Sequence, residues 1–89
     1  MAWKVELSSL AQKNLDQLDR PIARRILAFL LERVAPLDDP RSIGEALKGS
    51  KLGEFWKYRV GDYRIISNIE DGALLIVVVK IGNRKAVYR

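Results

Sequence analysis

Two dipeptides, Gly61-Asp62 and Asp71-Gly72, constrain this chain more than any other feature, because each sits between alternating apolar and polar runs and carries a strong two-residue hairpin signal. With Gly61-Asp62 as the loop, Val60 falls opposite Tyr63, Arg59 opposite Arg64, Tyr58 opposite Ile65 and Lys57 opposite Ile66. Side chains alternate between the faces of a strand. One face therefore collects Trp56, Tyr58, Val60, Tyr63 and Ile65, which suits a core, and the other collects Phe55, Lys57, Arg59, Arg64, Ile66 and Asn68. With Asp71-Gly72 as the second loop, Leu74, Ile76 and Val78 join the first face and Leu75, Val77 and Val79 the second. The strand at 73–80 is then apolar on both sides and belongs in the middle of the sheet. Arg59 facing Arg64 puts like charges directly opposite one another, which destabilises a sheet. An anion would relieve that cost.

The 89 residues make one domain, 1–89, of a size that buries only about 60% of its unfolded surface. There is no cysteine and no histidine, which removes disulfides, thiolate sites and the commonest metal ligand. No cofactor or metal is expected. The N-terminal stretch lacks the apolar run of a signal peptide, and Glu70, Asp71 and Gly72 break the one long apolar segment, so the reading is a cytoplasmic protein. Of the net charge of +5, residues 1–50 hold eight cations against seven carboxylates, and residues 51–89 hold eight against four. The surplus sits on the sheet and tail, where a phosphate-binding surface would put it.

Earlier in the chain, Trp3, Val5 and Leu7 alternate with Lys4 and Glu6 as in a half-buried strand. Ser9-x-x-Gln12 reads as a capping box opening a helix over 9–18. Pro21 suits the first turn of a second helix reaching Val34, with Ile22, Ile26, Phe29 and Leu30 in a broad apolar stripe and Arg24, Arg25, Glu32 and Arg33 facing water or a partner. Residues 35–53 read as loop, with one helical turn at 43–47. The sum is an α+β fold in the order β-α-α-β-β-β: two helices on one face of a mostly antiparallel sheet, with the other face open and carrying Lys57, Arg59 and Arg64.

The order of elements, the run LKGSKLGEFWKYRVGDYRIISNIEDG and the closing VVVKIGNRKAVYR resemble the RelE/ParE toxin superfamily of bacterial toxin-antitoxin modules over essentially the whole chain. The resemblance implies a microbial-ribonuclease-like fold. For the RelE branch it implies ribosome-dependent endoribonuclease cleavage of messenger RNA in the A site, inhibition of translation, and a cognate antitoxin protein as partner beside the ribosome and mRNA. It assigns catalytic positions to Lys57, Arg64, Arg84 and Tyr88. The ParE branch shares the fold, inhibits DNA gyrase without enzymatic chemistry, and typically lacks this full set; a toxin that only binds its antitoxin is the remaining alternative.

Two departures stand out. Arg59 occupies the family's second lysine position, and an arginine can hold a phosphate but cannot act as a base. Asn83 stands where relatives often carry histidine, and the chain stops at Arg89 without a C-terminal helix.

RNA can be cut without metal when its 2′-hydroxyl attacks the adjacent phosphate, given a base, an acid and cations around the phosphorane. Clustered like charges favour a neutral Lys57, the form a base needs. Arg64 and Arg84 can grip the phosphate with planar forks, and Tyr88 can stack on a base or share the proton transfers. Lys51 and Lys85 are peripheral phosphate contacts or plain surface. Strict alternation points Arg84 away from Arg64, so the reading requires a bulge or bend at Gly82 to re-aim the tail.

Overall fold

The computed structural model describes residues 2–47 and 55–85. Strand β1 is Lys4–Leu7, helix α1 Ser9–Asp16, helix α2 Arg20–Ala28, and β2 the two-residue Glu45–Ala46; β3 is Trp56–Val60, β4 Tyr63–Glu70 and β5 Leu75–Asn83. One sheet in the order β1-β5-β4-β3-β2 carries the helices on one face, and among the described residues only the β1-β5 pair is parallel. That parallel pair needs a crossover, which α1 and α2 supply. β5 is inner, flanked by β1 and β4, as its two-sided apolar pattern requires.

The core lies between helices and sheet. Trp3, Ala11, Leu15, Ile26, Leu30, Val34, Tyr58, Val60, Ile65, Ile69, Ile76, Val78 and Ile81 form one buried cluster, so the first face of the hairpin is the core face as expected. The other face is not wholly open, because Leu47 and Ile66 are buried there with Phe55 packed on them.

The first hairpin has the expected register: Val60 faces Tyr63, Arg59 faces Arg64, Tyr58 faces Ile65 and Lys57 faces Ile66. Gly61 has φ +59° and Asp62 is not positive, the pattern of a type II′ turn with glycine first. The second turn differs from expectation. Asp71–Ala73 form a 3₁₀ turn closed by Leu74 in the left-handed region, so that Glu70 pairs with Leu75 rather than Ala73. Leu74 is consequently exposed instead of joining the core face. Arg41 holds this turn by a two-pronged contact with the Asp71 carboxylate, at 2.9 and 3.0 Å.

Three local readings shift. Ser8, not Ser9, caps α1, its hydroxyl accepting from the Ala11 N–H at 3.0 Å, while Gln12 turns to Asp16 instead of closing a box. α1 ends at Asp16, short of the expected Leu18. The second helix begins at Arg20 and changes at Phe29 into a π-helical segment, Phe29–Val34. In place of a helical turn at 43–47 there is a 3₁₀ turn at Pro40–Ser42 followed by β2 on the outer edge of β3. Gly44 permits that approach: with φ +79°, a Cβ there would lie 2.6 Å from the Lys57 carbonyl oxygen.

Candidate functional site

The decisive irregularity is in β5. Ile66 pairs with Lys80 but Ser67 pairs with Val78, which leaves Val79 as an extra residue. The bulge expected at Gly82 therefore sits at Val79 instead, and the ladder is regular through Gly82 and Asn83. The effect on parity is the same as the sequence required. Ile81 rejoins the core opposite Ile65, while Lys80 and Gly82 move to the face away from the helices, opposite Ile66 and Arg64. A lysine at position 80 would otherwise point into the core, and that conflict was the available sign of a bulge between Val78 and Lys80.

Helix α1 braces the bulge. The Ser8 hydroxyl donates to the Val79 carbonyl at 2.7 Å, and the Ile81 N–H donates to Asn14 Oδ1 at 3.0 Å. Backbone groups that a bulge takes out of the ladder are thus satisfied by side chains of the helix packed on it.

On the face away from the helices, two rows of residues lie side by side. Glu45, Lys57, Ile66 and Lys80 form one, and Arg59, Arg64 and Gly82 the next. Gly82 leaves the space beside Arg64 without a side chain. Past the end of β5 the Arg84 N–H donates to the Asp62 carbonyl at 2.8 Å, which ties the tail to the β3-β4 turn next to Arg64. Arg59, Arg64 and the backbone of Arg84 are thereby gathered at one end of the sheet. Lys57 lies two residues along β3 from Arg59.

The cations are not all free. Glu45 Oε1 is 3.5 Å from Lys57 Nζ, so Lys57 is not surrounded by positive charge alone, as the sequence reading supposed. Arg64 donates from one guanidinium nitrogen to the Gly61 and Tyr63 carbonyls, both at 3.1 Å. The Lys85 N–H is held by Asn83 Oδ1 at 3.1 Å in an exposed turn. Lys51 and Tyr88 lie outside the described residues. Among the described residues no cluster of carboxylates could hold a metal ion, and no helix is long and apolar enough to cross a membrane.

The sequence reading missed Lys80, Glu45, Arg25 and Arg33 as neighbours of this region. Arg33 and Arg59 share the lining of a cleft with Lys57 and Glu45, and Arg25 joins them farther along.

Comparison with known proteins adds the context. A family model described as the ParE toxin of type II toxin-antitoxin system, parDE, matches residues 5–88. The chain is 29% identical over 87 residues to a Toxin RelE of Mycobacterium tuberculosis, covering 98% of this chain and 87% of that protein. It is 25% identical over 89 residues to a Toxin RelG of the same organism, covering 100% and 99%. Among solved structures, the M. tuberculosis toxin-antitoxin complex RelBE2 superposes with a TM-score of 0.84 at 21% identity, over 94% of this chain and 93% of that one. The isolated E. coli RelE toxin gives 0.72 at 19% identity, over 92% and 84%. At these identities the structural likenesses bear on the fold alone, and the fold they share is the one described above.

Proposed function

The chain belongs to the ParE toxin family of type II toxin-antitoxin systems, and from its relatives named Toxin RelE and Toxin RelG and the cations of its sheet face we propose that it is a ribosome-dependent endoribonuclease, cutting messenger RNA in the A site and inhibiting translation in the cytoplasm until a cognate antitoxin binds it. The observation that carries this reading is the gathering of Arg59, Arg64 and the Arg84 backbone at one end of the sheet, beside the gap left by Gly82. Fixed cations around one phosphate stabilise the charge that builds up on a phosphorane. The relatives named Toxin RelE and Toxin RelG, and the structures solved as RelB-RelE complexes, support a toxin role and an antitoxin partner.

In this mechanism the 2′-oxygen bonds to the adjacent phosphorus and the bond to the 5′-oxygen breaks. The hydroxyl proton leaves to a base and the 5′-oxygen takes one from an acid. Arg64 and Arg84 grip the phosphate, and Arg59 adds charge but no proton acceptance. Lys57, with Glu45 at 3.5 Å, and Tyr88 are the groups assigned to proton transfer. Lys51 and Lys85 contribute peripheral contacts to the RNA. Purified protein added to a translating extract should produce cuts at codon-spaced positions in primer extension, and Arg64→Ala should lower cutting by about 10²–10³-fold, the cost of removing one preorganised donor. Intact transcripts with the wild-type chain refute the reading.

Two observations favour a second reading. The matching family model is that of ParE, and Arg59 replaces the lysine of the RelE pattern. A non-enzymatic inhibitor of DNA gyrase would block supercoiling at stoichiometric protein while leaving transcripts whole. A toxin that only binds its antitoxin would do neither, and its induction would leave bacterial growth normal.

A further inference from the structure

Beyond the sheet face lies a second group of cations. Between α2 with its π-helical continuation and the outer edge of β3 runs a groove of about 310 Å³, lined by apolar Ala28, Phe29 and Val60 and by three arginines, Arg25, Arg33 and Arg59. Four residues of α-helix overshoot one turn by about 40°. The wider turn of the π segment at Phe29–Val34 undershoots it, which brings Arg33 back into line with Arg25 and Phe29 above the groove. The Arg25 guanidinium reaches the hairpin turn, 3.3 Å from where a Cβ on Gly61 would lie.

Among the described residues none of these three arginine side chains has an ion pair or hydrogen bond. Glu32 is the one carboxylate among the described residues on the same stretch of groove. The adjoining stretch shares Phe29, Arg33 and Arg59 and takes in Lys57 with its ion-pair partner Glu45, so the groove runs from the lysine of the candidate site toward the helical layer. Cations around an apolar-walled cleft reinforce one another's field, and guanidinium forks match phosphate oxygens.

We propose that this groove is a second RNA-phosphate site, in which Arg25, Arg33 and Arg59 hold the backbone of the same strand that the sheet face engages. The proposal rests on the reading of the protein as RNA-directed, and its continuity with Lys57 favours a nucleic acid over an acidic protein segment. Arg25 and Arg33 are binding residues here, with no part in the bond-breaking step.

The test uses the full chain and a fluorescein-labelled twelve-nucleotide single-stranded RNA, with affinity read by fluorescence anisotropy across a salt series. Each phosphate contact on a single strand contributes about 0.7 to the slope of log K against log salt. Arg25→Gln with Arg33→Gln should lower that slope by about 1.4. Arg20→Gln with Arg24→Gln removes the same charge from exposed α2 positions outside the groove and should leave the slope nearly unchanged. All four side chains are on exposed residues, and circular dichroism checks that the fold is kept.

Equal loss in both double variants, no loss in the first, or no binding by the wild-type chain would each overturn the proposal. A twelve-residue glutamate peptide that competes as well as unlabelled RNA would overturn it in favour of an acidic protein partner. Transcript cuts with an unaltered salt slope would sink the groove alone, whereas the full slope change without cuts would sink the ribonuclease reading alone.

Discussion

Ser8→Ala tests the brace that sets the register of β5. The hydroxyl makes two bonds at once, accepting from the Ala11 N–H at 3.0 Å and donating to the Val79 carbonyl at 2.7 Å. Losing a serine N-cap costs about 1 kcal/mol. Leaving a part-buried carbonyl without its donor costs about 1 kcal/mol more, the low end of the usual range, because the site is not fully dry. The sum is about 2 kcal/mol, against a stability on the order of 4–13 kcal/mol for a domain of this size. The melting temperature should fall by about 8–16 °C. A thermal melt followed by circular dichroism reads that shift, and urea unfolding gives the free-energy loss itself, provided the m-value is unchanged. Ser9→Ala, at the neighbouring exposed serine that the sequence pattern favoured as the cap, should stay within about 0.5 kcal/mol of wild type. A loss at Ser8 below about 0.5 kcal/mol, or an equal loss at Ser9, refutes the assignment of the brace.

Other outcomes follow from single contacts. Ser67 is fully buried and its hydroxyl has no hydrogen-bond partner among the described residues, so Ser67→Ala should raise stability by up to about 1 kcal/mol in the same titration, and a clear loss would reveal a bond the geometry lacks. Leu74 has φ +49° and is partly exposed, so Leu74→Gly should relieve about 1 kcal/mol of left-handed strain while Leu74→Ala should not. The hydrogen bond from Arg41 holds the Asp71 carboxyl below the usual carboxylate range. The stability it adds is therefore present above the unfolded carboxylate value of about 3.9 and lost as pH falls through the lower folded value. Melting curves of wild type and Asp71→Asn should differ at pH 7 and converge in strong acid, and a constant gap would show that the charge is not the cause.

The sequence carried the first hairpin, its core face and the Arg59-Arg64 pairing because two-residue turns and a period of two leave little freedom. It carried the two-helix layer because Pro21 and the apolar stripe mark the second helix. It missed the closure of the second hairpin, where Leu74 takes a backbone conformation that leucine disfavours and tertiary contacts decide the loop. It placed the bulge three residues late, at Gly82, by giving weight to glycine rather than to the misfit of Lys80 on the core face. The approach of Arg25 and Arg33 to β3 had no local sign, since it depends on a π-helical turn and on how the helices pass the sheet edge.

The Arg59-Arg64 pair shows how a like-charge crowding can exist before any ligand arrives. Directly opposed on two strands, the side chains diverge: Arg64 folds onto the Gly61 and Tyr63 carbonyls, while Arg59 lines the groove beside α2. Carbonyl oxygens thus take part of the role that the sequence reading gave to an anion. A phosphate at the hairpin end must draw Arg64 away from two neutral acceptors, an exchange that favours the charged ligand because ionic hydrogen bonds are roughly twice as strong as neutral ones. Arg59 needs no such exchange, since nothing among the described residues holds it. The two arginines should therefore respond differently to substitution, Arg64 affecting the fold of the turn as well as RNA and Arg59 affecting RNA alone.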